Sequence, residues 1–337
     1  MHVPICLPFT ICSAGFIALD FLSRLLFKTH NPSHPALLVP LSDRLTTLVE
    51  VPSYTTGWRA GQHVYLRIFH PGMGLVGMWE AHPFTIASGG ADGEGEPLRL
   101  FAKSIPGGWT ERLHSFACSS NEKCGGRRAK VMLDGPYGGP GNTMFSSFSS
   151  VLLVSGGSGI TFSLAQALSL QAKALQGLVR ARSIDLVWIV KEEVSLQSFW
   201  QYLLPLLAQA PAASQKGFHL PSTTSQSPYK ALKINIHVYI TRPSAEFAYE
   251  PERFFPGARA YPRLRIHTGR PSLEEIVDLK VAEVAGEARR MGRGGNACGL
   301  GVGVCGPLGL VKGLKNVVGG LKRARMDEVG GVEVFAE

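Results

Sequence analysis

The stretch VLLVSGGSGIT, residues 151–161, constrains this chain more than any other. Val151, Leu152, Leu153 and Val154 read as a buried strand. Ser155-Gly156-Gly157-Ser158-Gly159 then forces a tight turn, and Ile160, Thr161 and Phe162 open an apolar run that suits a helix. Such a turn leaves backbone N–H groups uncovered at the positive end of the helix, which makes a cradle for a phosphate or pyrophosphate. Missing side chains let the ligand come close to the backbone. The motif is not G-x-G-x-x-G, so an ordinary Gly/Ser turn is the competing reading.

The 337 residues leave room for two domains. The net charge is +9, but the basic residues are scattered or fall in short clusters such as Arg127-Arg128. No basic stripe is interleaved with aromatics, which argues against a nucleic-acid partner. Anionic cofactors or an acidic membrane surface explain the excess as well. Cysteines 6, 12, 118, 124, 298 and 305 form no C-x-x-C and have no histidine at zinc spacing, so no metal site is expected. They read as free thiols in a reducing compartment.

Residues 3–19 carry no charge, at the lower limit for crossing a bilayer, and Pro4 and Pro8 interrupt their first half. Residues 1–30 are therefore read as a membrane-helix remnant or anchor. A buried amphipathic helix and a signal-like segment are the alternatives. From Ala36 to Leu133 short strand-like runs such as HVYLRIF are separated by Gly, Pro and Asp turns, which suggests a small antiparallel barrel. LDGPYG reads as a tight turn leaving it, and residues 211–231 as an extended loop. From Val151 strands alternate with helices, the pattern of a parallel α/β domain. The fold expected is thus a two-domain α+β chain, with an antiparallel β-barrel over residues 36–148 and a parallel α/β domain over 149–337. Ligands then sit beyond the strands' carboxyl ends, where 155–161, 241–242 and 305–309 converge.

The motif order HPFTIAS, GGWT, LDGPYG, GGSGIT, YIT, GRPSLEEI, VCGPLG resembles the FAD- and NADPH-binding half of the ferric-chelate reductase and NADPH oxidase family, within the ferredoxin–NADP reductase group. The resemblance covers roughly residues 36–335 and implies two cofactors, FAD on the barrel and NADPH on the α/β domain. It assigns Pro83, Phe84 and Thr85 to the flavin ring, with Phe84 as the wall and Thr85 as the donor near the reactive nitrogen, and places His82 on the ribityl–phosphate side. Lys103, Gly108 and Thr110 become candidates for the FAD pyrophosphate, against the plainer reading of Thr110 as an N-cap. Gly156, Gly157, Gly159, Ile160 and Thr161 would hold the NADPH pyrophosphate. Lys191 and Arg242 follow strand ends, where a cation favours the extra phosphate of NADPH; each could equally be a solvated charge. Cys305, Gly306 and Pro307 would lie beside the nicotinamide, with Thr85 and Cys305 as the catalytic pair.

The implied function is hydride transfer from NADPH to FAD, then single electrons to haem or ferric iron, at the cytosolic face of a membrane or in the cytosol if the N-terminus is not inserted. Hydride transfer requires near-attack geometry and exclusion of water more than acid–base groups. Two departures stand out. Only ICSAGFIALDFLSRLLF resembles the family's haem-bearing membrane domain, and the chain stops at VEVFAE where the family continues through E-x-F-x-W. Truncation of a longer protein would explain both. The alternatives are a non-catalytic FAD-binding partner module and a superoxide-generating oxidase.

Overall fold

A computed structural model describes residues 3–23, 33–54, 57–90, 96–119, 126–208, 232–249, 251–255, 257–291 and 298–337. The loop expected over 211–231 lies outside them. Helix α1 (Val3–Ser23) comes first, with Pro8 inside it and Leu7, Phe9, Phe16 and Ile17 exposed. Among the described residues no helix is long and apolar enough to cross a membrane.

Strands β1 (His34–Pro40), β2 (Thr46–Val51), β3 (Gln62–Ile68), β4 (His82–Thr85), β5 (Leu98–Lys103) and β6 (Arg127–Gly138) form one antiparallel sheet, in the order β4-β3-β6-β1-β2-β5. An isolated bridge between Ile86 and Leu100 joins its two ends, which closes the sheet toward a barrel. Alternation along β3 drives Val64, Leu66 and Ile68 inward, where they meet Leu38, Val49, Leu100 and Leu133. Helix α2 (Trp109–Cys118) covers this core with Trp109, Leu113 and Phe116. LDGPYG is not a turn: it continues β6 through a cis Gly135–Pro136 bond, and the ladder with β3 shifts register between His63 and Tyr65. The extra residue of that irregularity absorbs the bend that the sequence expressed as Gly-Pro.

The second sheet is entirely parallel, in the order β10-β9-β8-β7-β11-β12. Its strands are β7 (Ser150–Gly156), β8 (Ser183–Val190), β9 (Lys233–Ile240), β10 (Leu264–Thr268), β11 (Leu300–Cys305) and β12 (Val332–Ala336). Helices α3 (Ile160–Leu175) and α4 (Glu193–Leu207) pack on one face, with the short α5 (Ala245–Tyr249) and α6 (Pro251–Phe254) beside them. Helices α7 (Leu273–Met291), α8 (Leu308–Gly319) and α9 (Arg323–Val329) pack on the other. Every residue of β7 is buried, as expected of a strand covered on both faces.

The two sheets meet through specific contacts. Gln166 Nε2 of α3 donates to the carbonyl of Ala60 at 2.8 Å, and both are buried. The Asp43 N–H donates to Ser198 Oγ at 2.9 Å, and Phe101 of β5 lies 4.5 Å from Phe199 of α4. A cleft therefore opens between barrel and α/β domain at the carboxyl ends of the parallel strands.

Candidate active site

The cleft has a volume of about 550 Å³. Gly156, Gly157, Ser158 and Thr161 line it from the β7–α3 turn, Thr241 from the end of β9, and Pro307 and Gly309 from the β11–α8 turn. The three segments expected to converge do so. The two glycine turns interlock. A Cβ on Gly159 would stand 2.2 Å from the carbonyl oxygen of Cys305. Gly306 has φ +151°, and a Cβ there would meet the Gly156 amide nitrogen at 2.9 Å. Buried Trp188 fixes the turn from below, its Nε1 donating to the Gly157 carbonyl at 2.9 Å. Thr161 Oγ1 donates to Ser158 O at 3.1 Å, and Ile160 is fully buried, so its part is to anchor the helix. Gly159 and Gly306 are thus required by the packing of one turn on the other, while Gly157, with no atom within 4 Å of its would-be Cβ, presents bare backbone to the cleft.

Three cations border this surface: Lys191, Lys103 and Arg270. Asp43 is the one carboxylate among the lining residues, and its oxygens are occupied by Leu45 N, Thr46 N and Thr46 Oγ1 at 3.1, 2.8 and 2.6 Å. The cleft is thus biased toward an anion. Lys103 comes from the barrel, so it faces the α/β turn, while Gly108 and Thr110 do not line this cleft. Arg242 is exposed and does not line it either; its backbone N–H donates to the Lys191 carbonyl at 2.8 Å. Sequence reasoning passed over Arg270. The signal was present, since Arg270 follows β10 as Lys191 follows β8.

On the barrel, Phe84 is half-buried with its ring centroid 6.2 Å from that of Trp109, and His82 lies 4.7 Å from the same indole. Glu80 holds His82 at 2.9 Å and Arg112 at 2.9 Å, while Pro83 is exposed. Trp109 was not foreseen, although it stands in the quoted GGWT motif. Gly108 caps α2 with no side-chain cap, so Thr110 is not the N-cap; its Oγ1 accepts from Ile105 N at 3.0 Å and closes the preceding loop. Glu111 Oε2 accepts from Gly107 N at 2.7 Å.

The end of β12 connects the domains. Thr85 Oγ1 donates to Glu337 Oε1 at 3.3 Å, and the Glu337 N–H donates to the Val304 carbonyl at 3.0 Å, next to Cys305. Burial, with a smaller contribution from the Glu337 charge, pushes the Cys305 thiol up to about 12. The Glu337 carboxyl is also pushed above the usual carboxylate range by desolvation, against the opposing hydrogen bond from Thr85. Glu337 as a residue is exposed, yet its carboxyl is desolvated where it meets Thr85, and that desolvation outweighs the hydrogen bond and sets the direction. Thr85, Cys305 and a readily protonated carboxyl are thereby brought together where the two sheets adjoin.

Two family profiles match. The FAD-binding domain covers residues 33–141, and the ferric reductase NAD binding domain covers residues 148–319, more than half of the chain. The chain belongs to the ferric reductase NAD-binding family. Its two halves are accordingly an FAD-binding barrel and a nicotinamide-dinucleotide-binding α/β domain. Ferric reductase transmembrane component 6 of Saccharomyces cerevisiae is 31% identical over 160 residues, 47% of this chain and 20% of that protein. Dual oxidase 1 of Homo sapiens is 25% identical over 253 residues, 71% of this chain and 14% of that protein. The chain thus matches a fifth or less of the length of these two relatives. A ferredoxin NADP+ reductase from Neisseria gonorrhoeae, solved with FAD and NADP, shares the fold with a TM-score of 0.52 at 15% identity, covering 90% of this chain and 97% of that one.

Proposed function

We propose that this ferric reductase-family chain passes a hydride from NADPH to FAD and then single electrons to a haem-bearing membrane domain or to ferric iron. One observation carries the reading: the 3.3 Å contact from Thr85 to Glu337, which ties the HPFT strand of the barrel to the strand end beside Cys305. The residues present fit both cofactors. On the barrel, half-buried Phe84 beside Trp109 offers an aromatic wall; in the cleft, Gly157 presents bare backbone with no atom within 4 Å of its would-be Cβ, and Lys191, Lys103 and Arg270 supply positive charge around it.

FAD, when bound, supplies a hydride acceptor that releases electrons one at a time. Phe84 would form the apolar wall of its ring, with His82 and Pro83 beside it and Gly108 and Thr110 at its pyrophosphate. Gly156, Gly157, Gly159 and Thr161 would seat the NADPH pyrophosphate, and Lys191 and Arg270 its extra phosphate. Cys305 stays a neutral thiol at physiological pH, which lets it pack against the nicotinamide without placing a charge there. Glu337 can hold a proton at Oε1 against Thr85 Oγ1. A ferric reductase transmembrane component is among the relatives, which supports a membrane setting for the whole protein; these domains would then lie on its cytosolic side.

Anaerobic stopped flow with the FAD-loaded chain tests this. NADPH should bleach the flavin absorbance rapidly. FAD bound but unbleached would leave a binding module, and protein that takes up no FAD would end the proposal.

A further inference from the structure

The sheet face opposite α3 and α4 is covered unevenly. Helices α7, α8 and α9 pack over β7, β11 and part of β8. Alternation along β9 sends Ile234, Ile236, Val238 and Ile240 into the α4 side and leaves Asn235, His237 and Tyr239 half-buried on the other. The register sets Arg265 beside His237 and His267 beside Tyr239. Together with Lys280 and Glu283 of α7 these strands enclose a cavity of about 370 Å³, which shares no lining residue with the dinucleotide cleft.

The charges of this cavity do not balance locally. Buried Lys280 forms ion pairs with Asp185 and with Glu283 and donates to Ser183 Oγ at 2.9 Å. Asn235 Nδ2 donates to Asp185 Oδ1 at 2.7 Å. Both carboxylates of the lining are therefore engaged. None of the ion pairs among the described residues involves Arg263 or Arg265, and Arg263 Nη1 is buried with no acceptor. A buried N–H with nothing to accept from it is costly and needs an account. His237 and His267 stack 5.6 Å apart with 7° between their planes, and Tyr239 stacks on His267 at 4.5 Å. Burial lowers both histidine pKa values, and the Arg265 charge lowers them further. At His237 the His267 and Lys280 charges act with Arg265, and Asp185 opposes them.

We infer that this cavity binds the oxyanion group of a small phosphate- or carboxylate-bearing molecule, held by Arg263 and Arg265 beside His237 and Tyr239. Two guanidinium groups on one wall suit a multidentate oxyanion better than a point anion. The volume exceeds what the oxyanion alone fills, so the body of the molecule lies along Ile276 and Leu279 of α7. The site is independent of the hydride-transfer reading.

The test uses the full chain with FAD, and with NADP+ saturating the cleft so that Lys191 and Arg270 are occupied. Histidine ring NMR is recorded with millimolar inorganic phosphate or acetate, with His237→Gln and His267→Gln giving the assignments. An anion beside these rings favours their protonated forms, so both titration midpoints should rise, and binding should tighten as pH falls. Arg265 is exposed, so Arg265→Gln leaves the core intact; it should weaken binding about tenfold or more, the loss of a charge-assisted hydrogen bond. A response to phosphate above acetate assigns a phosphate group, and the reverse a carboxylate. The inference is overturned if neither anion moves the midpoints, or if Arg265→Gln responds as the parent chain does.

Discussion

Gly159→Ala is the sharpest perturbation of the dinucleotide surface. The added methyl would lie 2.2 Å from the Cys305 carbonyl oxygen, 2.6 Å from its carbonyl carbon and 3.1 Å from Sγ. Real Cβ atoms essentially never approach closer than 3.0 Å, and the atoms met here are backbone, with no rotamer to move. The β7–α3 and β11–α8 turns must part by the better part of an ångström. Overpacking of this kind costs about 1–3 kcal/mol. In a domain of this size each kcal/mol lowers Tm by about 2–4 °C. The functional loss should be larger than the loss of stability suggests, because displacing reacting groups by about 1 Å costs about 100-fold in rate. Gly286→Ala is the control. Gly286 lies within α7, away from the cleft, with no atom within 4 Å of its would-be Cβ, so the added methyl meets nothing and the parent rate should be kept. Stopped-flow flavin reduction and thermal unfolding of the FAD-bound variants decide the matter. If Gly159→Ala reduces flavin at the parent rate, or Gly286→Ala is the slower of the two, the interlocked turns do not position the reaction.

Arg270→Gln should raise KM for NADPH about tenfold or more with little change for NADH, while Arg242→Gln, outside the cleft, changes both far less. The Cys305 thiol should resist iodoacetamide until well above pH 9, because its pKa stands at about 12; an alkylation rate that levels off near pH 9 would contradict this. In the unfolded chain the same thiol ionises near its ordinary 9.0, so its contribution to stability falls as pH rises from there toward 12. Lys280→Met strands the Asp185 carboxylate in the α7–sheet interface and should cost about 3–5 kcal/mol by denaturant unfolding, with Asp185→Asn restoring part of it.

The parallel sheet was legible because strands buried on both faces read as unbroken apolar runs. Val151 to Val154 and Leu186 to Val190 are both of this kind. The barrel was legible from period-two alternation in β3. LDGPYG misled because Gly-Pro signals a turn locally, whereas pairing with β3 holds it extended across an irregular register. The glycine turns and Lys191 could be found because their chemistry is contiguous in sequence. Arg270 and Trp109 stood in quoted motifs, but their role depends on which side chains share a wall, and that follows from strand order. The contact from Thr85 to Glu337 spans 252 positions and has no local signature at all.

A hydride moves only if two rings are held face to face, so the decisive property of this chain is how firmly two separately folded sheets are kept in register. The cradles alone cannot secure that, since each belongs to one domain. Gln166 reaches from α3, directly behind the glycine turn, to the barrel carbonyl of Ala60. Gly61 next to it has φ +82°, and a Cβ there would strike Gln166 Nε2 at 2.8 Å and Phe162 at 2.9 Å. Phe162 in turn stacks on Phe335 of β12, two residues before Glu337. One helix thus fixes the dinucleotide turn, the barrel wall and the strand end that meets Thr85. Small errors in any of them are shared by all three, which is why activity should respond to packing around α3 well before the fold fails.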